Sequence, residues 1–365
     1  MEKRIRVLMV GPDRGVHGGI SAVVNELYDA GLSELADITY IGTMKEGSKA
    51  KKFCVALAAY IRFLFLVHKC DVVHVHFSSD TSFYRKSHFI KAAHFAGKKI
   101  VLHQHGGDFK TFYEKELSER GRKRVGEILD MGDRMLVLTQ SWKDYFSKIT
   151  DSKKLIVLPN GIKIKSYTEG ELFSEDGNLI DTNSVASKDY NKILFLGRVC
   201  KDKGMDELLE AISEMHANNP RVHLYIGGIY EDSIYRKKVE QSKEFITHLG
   251  WVTGEEKEKY LEECGILVLP SYYEGFPVSI IEGMLHGCAV VASAVGGIPE
   301  IITDKQNGLL ISPKSSLELK TALQSLISDS EFANLLGRNG REEVIKKYSV
   351  EGNISKLMKI YKELT

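Results

Sequence analysis

Residues 266–292 read ILVLPSYYEGFPVSIIEGMLHGCAVVA. The apolar run Ile266–Leu269 stops at Pro270, a helix-period stretch follows over 278–286, and a second apolar run occupies Ala289–Ala292. Strand, helix and strand at these lengths form a crossover unit, and repeated units of this kind build a parallel sheet covered by helices.

Outward from this unit the pattern repeats. On its N-terminal side Ile193–Leu196, Val222–Ile226 and Thr247–Leu249 read as further strands, with helices near 205–216, 231–243 and 255–263, and another helix follows at 317–327. The first half has the same rhythm: strands at Ile5–Val10, Asp37–Ile41, Val72–His76, Ile100–His103, Met135–Leu138 and Leu155–Leu158, and helices over 20–30, 82–96, 113–130 and 141–148. Residues 163–190, rich in Ser, Asn, Asp and Gly, read as a linker. The expectation is an α/β chain of two doubly wound, Rossmann-like domains, 1–165 and 190–345, with the ligand in the cleft between them.

Length agrees, since 365 residues exceed what one core organises at roughly 150 residues per domain. With 43% hydrophobic and 27% charged residues the chain is globular rather than disordered. The net charge of +1 hides a polarity: residues 1–160 hold 26 Lys and Arg against 18 Asp and Glu, a balance of +8, and 161–365 hold 24 against 31, a balance of −7. A basic first half suits a polyanionic partner, either an anionic membrane or nucleic acid. Cys54, Cys70, Cys200, Cys264 and Cys288, odd in number and without a CxxC pair, read as buried thiols of a reducing compartment. The opening MEKRIRVLMVGPDRG has about five apolar residues before Gly-Pro-Asp, too few for a signal peptide or membrane span, so the expected location is cytoplasmic.

Four clusters carry chemistry. Glu274 stands in the loop after a strand and Glu282 lies inside the helix that Pro277 opens; free amides and the positive dipole end there suit a diphosphate, and the carboxylates suit ribose and sugar hydroxyls. In Gly197–Gly204, GRVCKDKG, Arg198 and Lys203 are placed to neutralise one diphosphate as a leaving group. Gly18 and Gly19 precede a helix and admit close ligand approach, but the stretch is not the GxGxxG fingerprint, so no nicotinamide or flavin cofactor is expected. His74, His76, His103 and His105, alternating on two strand ends before Asp108, offer a rival class: a hydrolase using zinc or manganese.

With these clusters in order, the chain resembles the retaining glycosyltransferases of family 4, which have the GT-B fold. The resemblance rests on Gly18-Gly19, HGGD at 105–108, PNGI at 159–162, GRxxxxKG at 197–204 and EGFPVSIIE at 274–282, the E-x7-E signature. It implies transfer of a hexose from a UDP- or GDP-sugar without a metal or other cofactor, by front-side attack assisted by the leaving phosphate, with no general base. His105, Arg198, Lys203 and Glu274 are the implied catalytic groups. Donor contacts are implied for Gly19, Arg198, Lys203, Trp251, Val252, Glu274, Gly275, Phe276, Pro277, Val278, Ser279, Ile280 and Glu282, with Trp251 and Val252 lining the base. The last helix, about 346–365, is expected to cross back to the first domain. Pro277 stands where many members have Gly, and Gly283 where many have Ala, a change expected to loosen its helix by about 1 kcal/mol.

Acceptor recognition in such enzymes belongs to the first domain, the basic one here. His17, His76, Arg85, Lys86 and Asp108 are the candidate acceptor contacts, with Arg85 and Lys86 expected to meet the diphosphate of a polyprenyl-linked glycan for capsule, O-antigen or exopolysaccharide. A soluble small-molecule acceptor is the alternative. Residues 49–69, KAKKFCVALAAYIRFLFLVHK, join a Lys cluster to an apolar helix and suit the anionic inner face of the plasma membrane, which makes the polyanion a membrane and not nucleic acid.

Overall fold

The computed structural model describes residues 4–106, 108–164 and 188–365, and the chain divides into two units: Met1–Lys163 with Ser349–Thr365, and Ile164–Tyr348. Each is built on one six-stranded parallel sheet flanked by helices.

The first sheet contains β1 Arg6–Gly11, β2 Asp37–Gly42, β3 Val72–Phe77, β4 Lys99–Gln104, β5 Arg134–Val137 and β6 Leu155–Val157, in the order β2-β1-β3-β4-β5-β6. Pairing is in register, with His76 of β3 beside His103 of β4. Strands covered on both faces must be apolar almost throughout, and every residue of β3 is buried. Alternation then divides one strand between two cores: Leu8 and Val10 of β1 enter one apolar cluster and Val7 and Met9 the other.

The second of these clusters is completed from far along the sequence. The helix Val350–Leu364 contributes Val350, Ile354, Leu357, Ile360 and Tyr361 to it. Pro159–Ile162 seats the start of that helix: Val350 N–H donates to the Ile162 carbonyl at 3.0 Å, and the Asn353 amide donates to the Pro159 carbonyl at 2.7 Å. A Cβ on Gly161 would lie 2.9 Å from the Val350 Cα, so the backbones meet only because this residue is glycine.

The second sheet contains β7 Asp189–Leu196, β8 His223–Gly227, β9 Ile246–Gly250, β10 Cys264–Leu269, β11 Ala289–Ser293 and β12 Leu309–Ile311, ordered β12-β11-β10-β7-β8-β9. Strand order reverses between β7 and β10, as it does between β1 and β3 in the first sheet, and a crevice opens at such a point beyond the carboxyl ends.

Three expectations change. The helix expected over 113–130 is broken in two: a π-helical segment, Phe112–Glu116, ends before Ser118, whose hydroxyl accepts the Gly121 N–H and caps a new helix from Glu119. The closing helix is two, Ser330–Lys347 and Val350–Leu364, parted where Ser349 caps the second. Strand β12 has three residues, too few for a periodic signal. The expected linker 163–190 lies mostly outside the described residues. Among the cysteines, Cys70, Cys264 and Cys288 are buried as expected and Cys54 is exposed.

Candidate active site

In the second unit the functional candidates gather at the strand-order reversal. Arg198 and Lys203 follow β7, and Glu274 follows β10. The loops interlock: Tyr272 N–H donates to the Asp202 carbonyl at 2.8 Å, and Gly204, with φ of 72°, passes so close that a Cβ would fall 2.1 Å from the Pro270 carbonyl oxygen. Only glycine satisfies both the left-handed backbone and that contact. Lys203 Nζ bonds Glu274 Oε1, which also accepts the Ser271 hydroxyl at 2.7 Å. Both members of this ion pair are largely buried, with side chains 17% and 10% exposed.

The other candidate charges are paired too. Arg198 Nη1 donates to Glu231 Oε1 at 2.7 Å, and Lys257 Nζ donates to Glu282 Oε1 at 2.6 Å. The sequence reading includes neither Glu231 nor Lys257, nor Ser271. It also omits Gly296-Gly297, which braces the Glu274 loop: Gly297 N–H donates to the Gly275 carbonyl at 3.0 Å. A Gly-Gly pair in the loop just beyond a strand was the available signal.

The helix Val278–Leu285 starts behind this loop without a side-chain cap and without an acidic residue in its first turn. Its positive end is therefore left for an anion. Pro277 occupies the capping position itself rather than the first helical one. Gly275 and Pro277 are buried, and Phe276 and Ile280 belong to the core, Phe276 edge-on to Tyr348 at 5.3 Å between centroids. Val278 and Ser279 keep partial exposure. Trp251 is exposed and Val252 is in the core. At Gly283 a Cβ would press to 2.9 Å from Leu267 Cδ1, so glycine lets the helix lie close on β10.

In the first unit the four histidines form a column at the ends of β3 and β4. His74 and His76 stack at 4.3 Å between centroids, and His103 lies 4.0 Å from His105. His76 Nδ1 and His105 Nε2 share a hydrogen bond of 2.9 Å, and His74 Nδ1 and the Tyr361 hydroxyl one of 2.6 Å. Burial holds His74 and His105 down at about 3 and His76 and His103 well below the usual imidazole range, so the column is uncharged at neutral pH. Ring nitrogens of His74, His76 and His103 come within 4.8 Å of one another. A metal, however, bonds in each ring plane along the nitrogen lone pair. The His74 ring is inclined only 25° to His76 and 11° to His103, and stacked rings aim those lone pairs along separate planes. This packing fits a polar column better than a metal centre and weakens the hydrolase alternative.

The acceptor candidates differ in exposure and partners. Lys86 is fully buried, its ammonium bonded to the Thr43 hydroxyl, and burial drives its pKa well below the usual amine value. Arg85 beside it is partly exposed with its Nε unpartnered. A surface pair of cations is therefore not formed. Asp108 is exposed and accepts the Ser79 hydroxyl, and His17 Nδ1 lies 3.6 Å from Glu46 Oε1. Gly19 opens the helix Gly19–Asp29, with no atom within 4 Å of where a Cβ would stand. Gly107 of the HGGD stretch is outside the described residues.

Comparison with known proteins agrees with the two-unit division. Residues 28–166 match the family described as "Glycosyltransferase Family 4" and 178–343 the one described as "Glycosyl transferases group 1". An uncharacterized glycosyltransferase of Methanocaldococcus jannaschii is 32% identical over 67% of this chain and 71% of its own. An uncharacterized 41.2 kDa protein of the Klebsiella pneumoniae cps region is 24% identical over 95% of this chain and 97% of its own. Among solved structures, Anabaena HepE in complex with UDP-glucose superposes with a TM-score of 0.76 at 17% identity, over 99% of this chain and all of that one. By that relationship and by its two parallel sheets, the chain belongs to the glycosyltransferases of GT-B fold.

Proposed function

We propose that the protein moves a hexose from a nucleoside diphosphate sugar, with UDP or GDP as the nucleotide, to a polyprenyl-diphosphate-linked glycan of a bacterial surface polysaccharide, retaining the anomeric configuration. The observation that carries this is the convergence of Arg198, Lys203 and Glu274 at the β7/β10 reversal, beside the uncapped helix Val278–Leu285. Two cations and a positive helix end stabilise charge where it develops, on the diphosphate that leaves. The C1–oxygen bond of the donor breaks with its electron pair going to the diphosphate. The acceptor oxygen bonds C1 on the same face and passes its proton to a leaving phosphate oxygen. Glu274 and Glu282 accept sugar and ribose hydroxyls, and His105 keeps the role that the family resemblance implies for it. That a relative lies in a cps region and a structural neighbour is found in complex with UDP-glucose supports the choice of donor and pathway.

The acceptor's membrane is read from the helix Lys49–Leu66. Phe53, Leu57, Ile61 and Phe65, four residues apart, are 68%, 48%, 48% and 75% exposed, while Ala59 and Phe63 of the same helix face the core. Lys49, Lys51, Lys52 and Arg62 accompany the apolar row. An exposed apolar stripe with a basic flank suits an anionic bilayer surface, and no helix among the described residues is long and apolar enough to cross one.

Incubation with UDP- and GDP-sugars and a polyprenyl-diphosphate glycan should yield an α-linked product, given an α-linked donor, and transfer should persist in EDTA. Glu274→Ala should lower kcat by roughly 100-fold or more without loss of the fold. Normal transfer by that variant defeats the site, and transfer only to free sugars defeats the lipid acceptor. Phe53→Ser/Phe65→Ser should abolish cosedimentation with phosphatidylglycerol vesicles.

A further inference from the structure

Arg198, Lys203 and Lys257 of the second unit each already hold a carboxylate: Glu231, Glu274 and Glu282. As they stand these pairs are electrically balanced, so a diphosphate gains little until a partner lets go. Two of the carboxylates have hydroxyls to receive in the reading above, on which this inference rests. Glu231 has none.

Its position is nevertheless built. Val199 N–H donates to the Ile229 carbonyl at 2.8 Å and Glu231 N–H to the Val199 carbonyl at 3.2 Å, and Val199 and Tyr230 form a bridge. Gly228 approaches until a Cβ would lie 1.7 Å from the Gly197 carbonyl oxygen. The loops after β7 and β8 are thus laced along their backbones, and the lacing sets Glu231 opposite Arg198. The two side chains are 49% and 40% exposed, unlike the buried Lys203–Glu274 pair. Exposed pairs are worth little and exchange partners readily.

We propose that Glu231 is a displaceable counter-ion for Arg198. It holds the guanidinium when no diphosphate is present, yields it to the entering donor, and reclaims it as the nucleoside diphosphate leaves. It is a positioning residue that lowers affinity for the diphosphate and eases product release, acting through Arg198 rather than on the sugar.

The test is titration calorimetry of UDP and of GDP alone into the full chain, with donor kinetics alongside. Glu231→Gln keeps the shape and removes the charge. It should tighten nucleoside diphosphate binding about three- to tenfold, lower the donor KM and lower the product-inhibition constant by a similar factor. In an Arg198→Ala background the same substitution should change binding less than twofold. Unchanged or weaker binding in Glu231→Gln overturns the proposal, as does equal tightening without Arg198. If Arg198→Ala itself leaves nucleotide binding intact, or neither nucleotide binds, the diphosphate site of the proposed function fails instead.

Discussion

The two units build their polar sites in opposite ways. In the first, four imidazoles stack under the sheet end, stripped of charge by burial. In the second, every candidate charge is kept and matched by another. A neutral column costs nothing in ion desolvation but is vulnerable to protons, whereas a set of ion pairs tolerates mild acid but yields to competing ions. The first unit should therefore answer to pH and the second to salt.

Acid gives the largest expected effect. Each histidine of the column has a folded pKa below its unfolded one, so the unfolded chain takes up protons below about pH 6.5 that the folded chain refuses. Stability is full above that value and falls as pH drops through it towards the lowered folded values. Hydrogen exchange between pH 7 and 5 should show β3 and β4 loosening before β10 and β11. His223 and His286 of the second unit shift the same way but stand singly rather than in a group of four. Loosening that starts at β10 would break the contrast.

Next in size, Arg198→Ala should raise the donor KM about tenfold, the loss of roughly one charge-assisted contact. Raising salt from 0.05 to 0.5 M should raise the wild-type KM and move the variant's less, since screening weakens the contact between the exposed Arg198 and the diphosphate. Equal salt dependence in both would assign the effect elsewhere. Smallest is Gly283→Ala. Helix propensity alone favours alanine by about 1 kcal/mol, but the 2.9 Å approach to Leu267 predicts a lower melting temperature. A rise would mean that β10 and its helix give way easily.

Long apolar strands such as β3 and β10 were legible because both faces are buried and each residue repeats the signal. The breaks at Ser118 and Ser349 were not, since a cap is one hydroxyl inside an otherwise continuous pattern. In the site, motif spacing placed Arg198 and Lys203 on one turn and Glu274 on another loop. Their partners were out of reach: Glu231 and Lys257 come from different elements, and only the folded sheet decides which carboxylate a cation meets. The His-x-His alternation was visible too, but alternation gives a face and not a ring plane, and the ring planes separate a stacked column from a metal centre.

The seat of the helix Val350–Leu364 also sets a timetable. Ile164–Tyr348 is made between the two parts of the first unit, an interval on the order of ten to forty seconds at about 5–20 residues per second. Until then the sheet face bearing Val7, Met9 and Leu136 lacks five of its core side chains. At about 1.5–3 kcal/mol each, these match the whole stability of a typical domain. Of the two units, the one whose synthesis begins earlier is thus the later to complete its core.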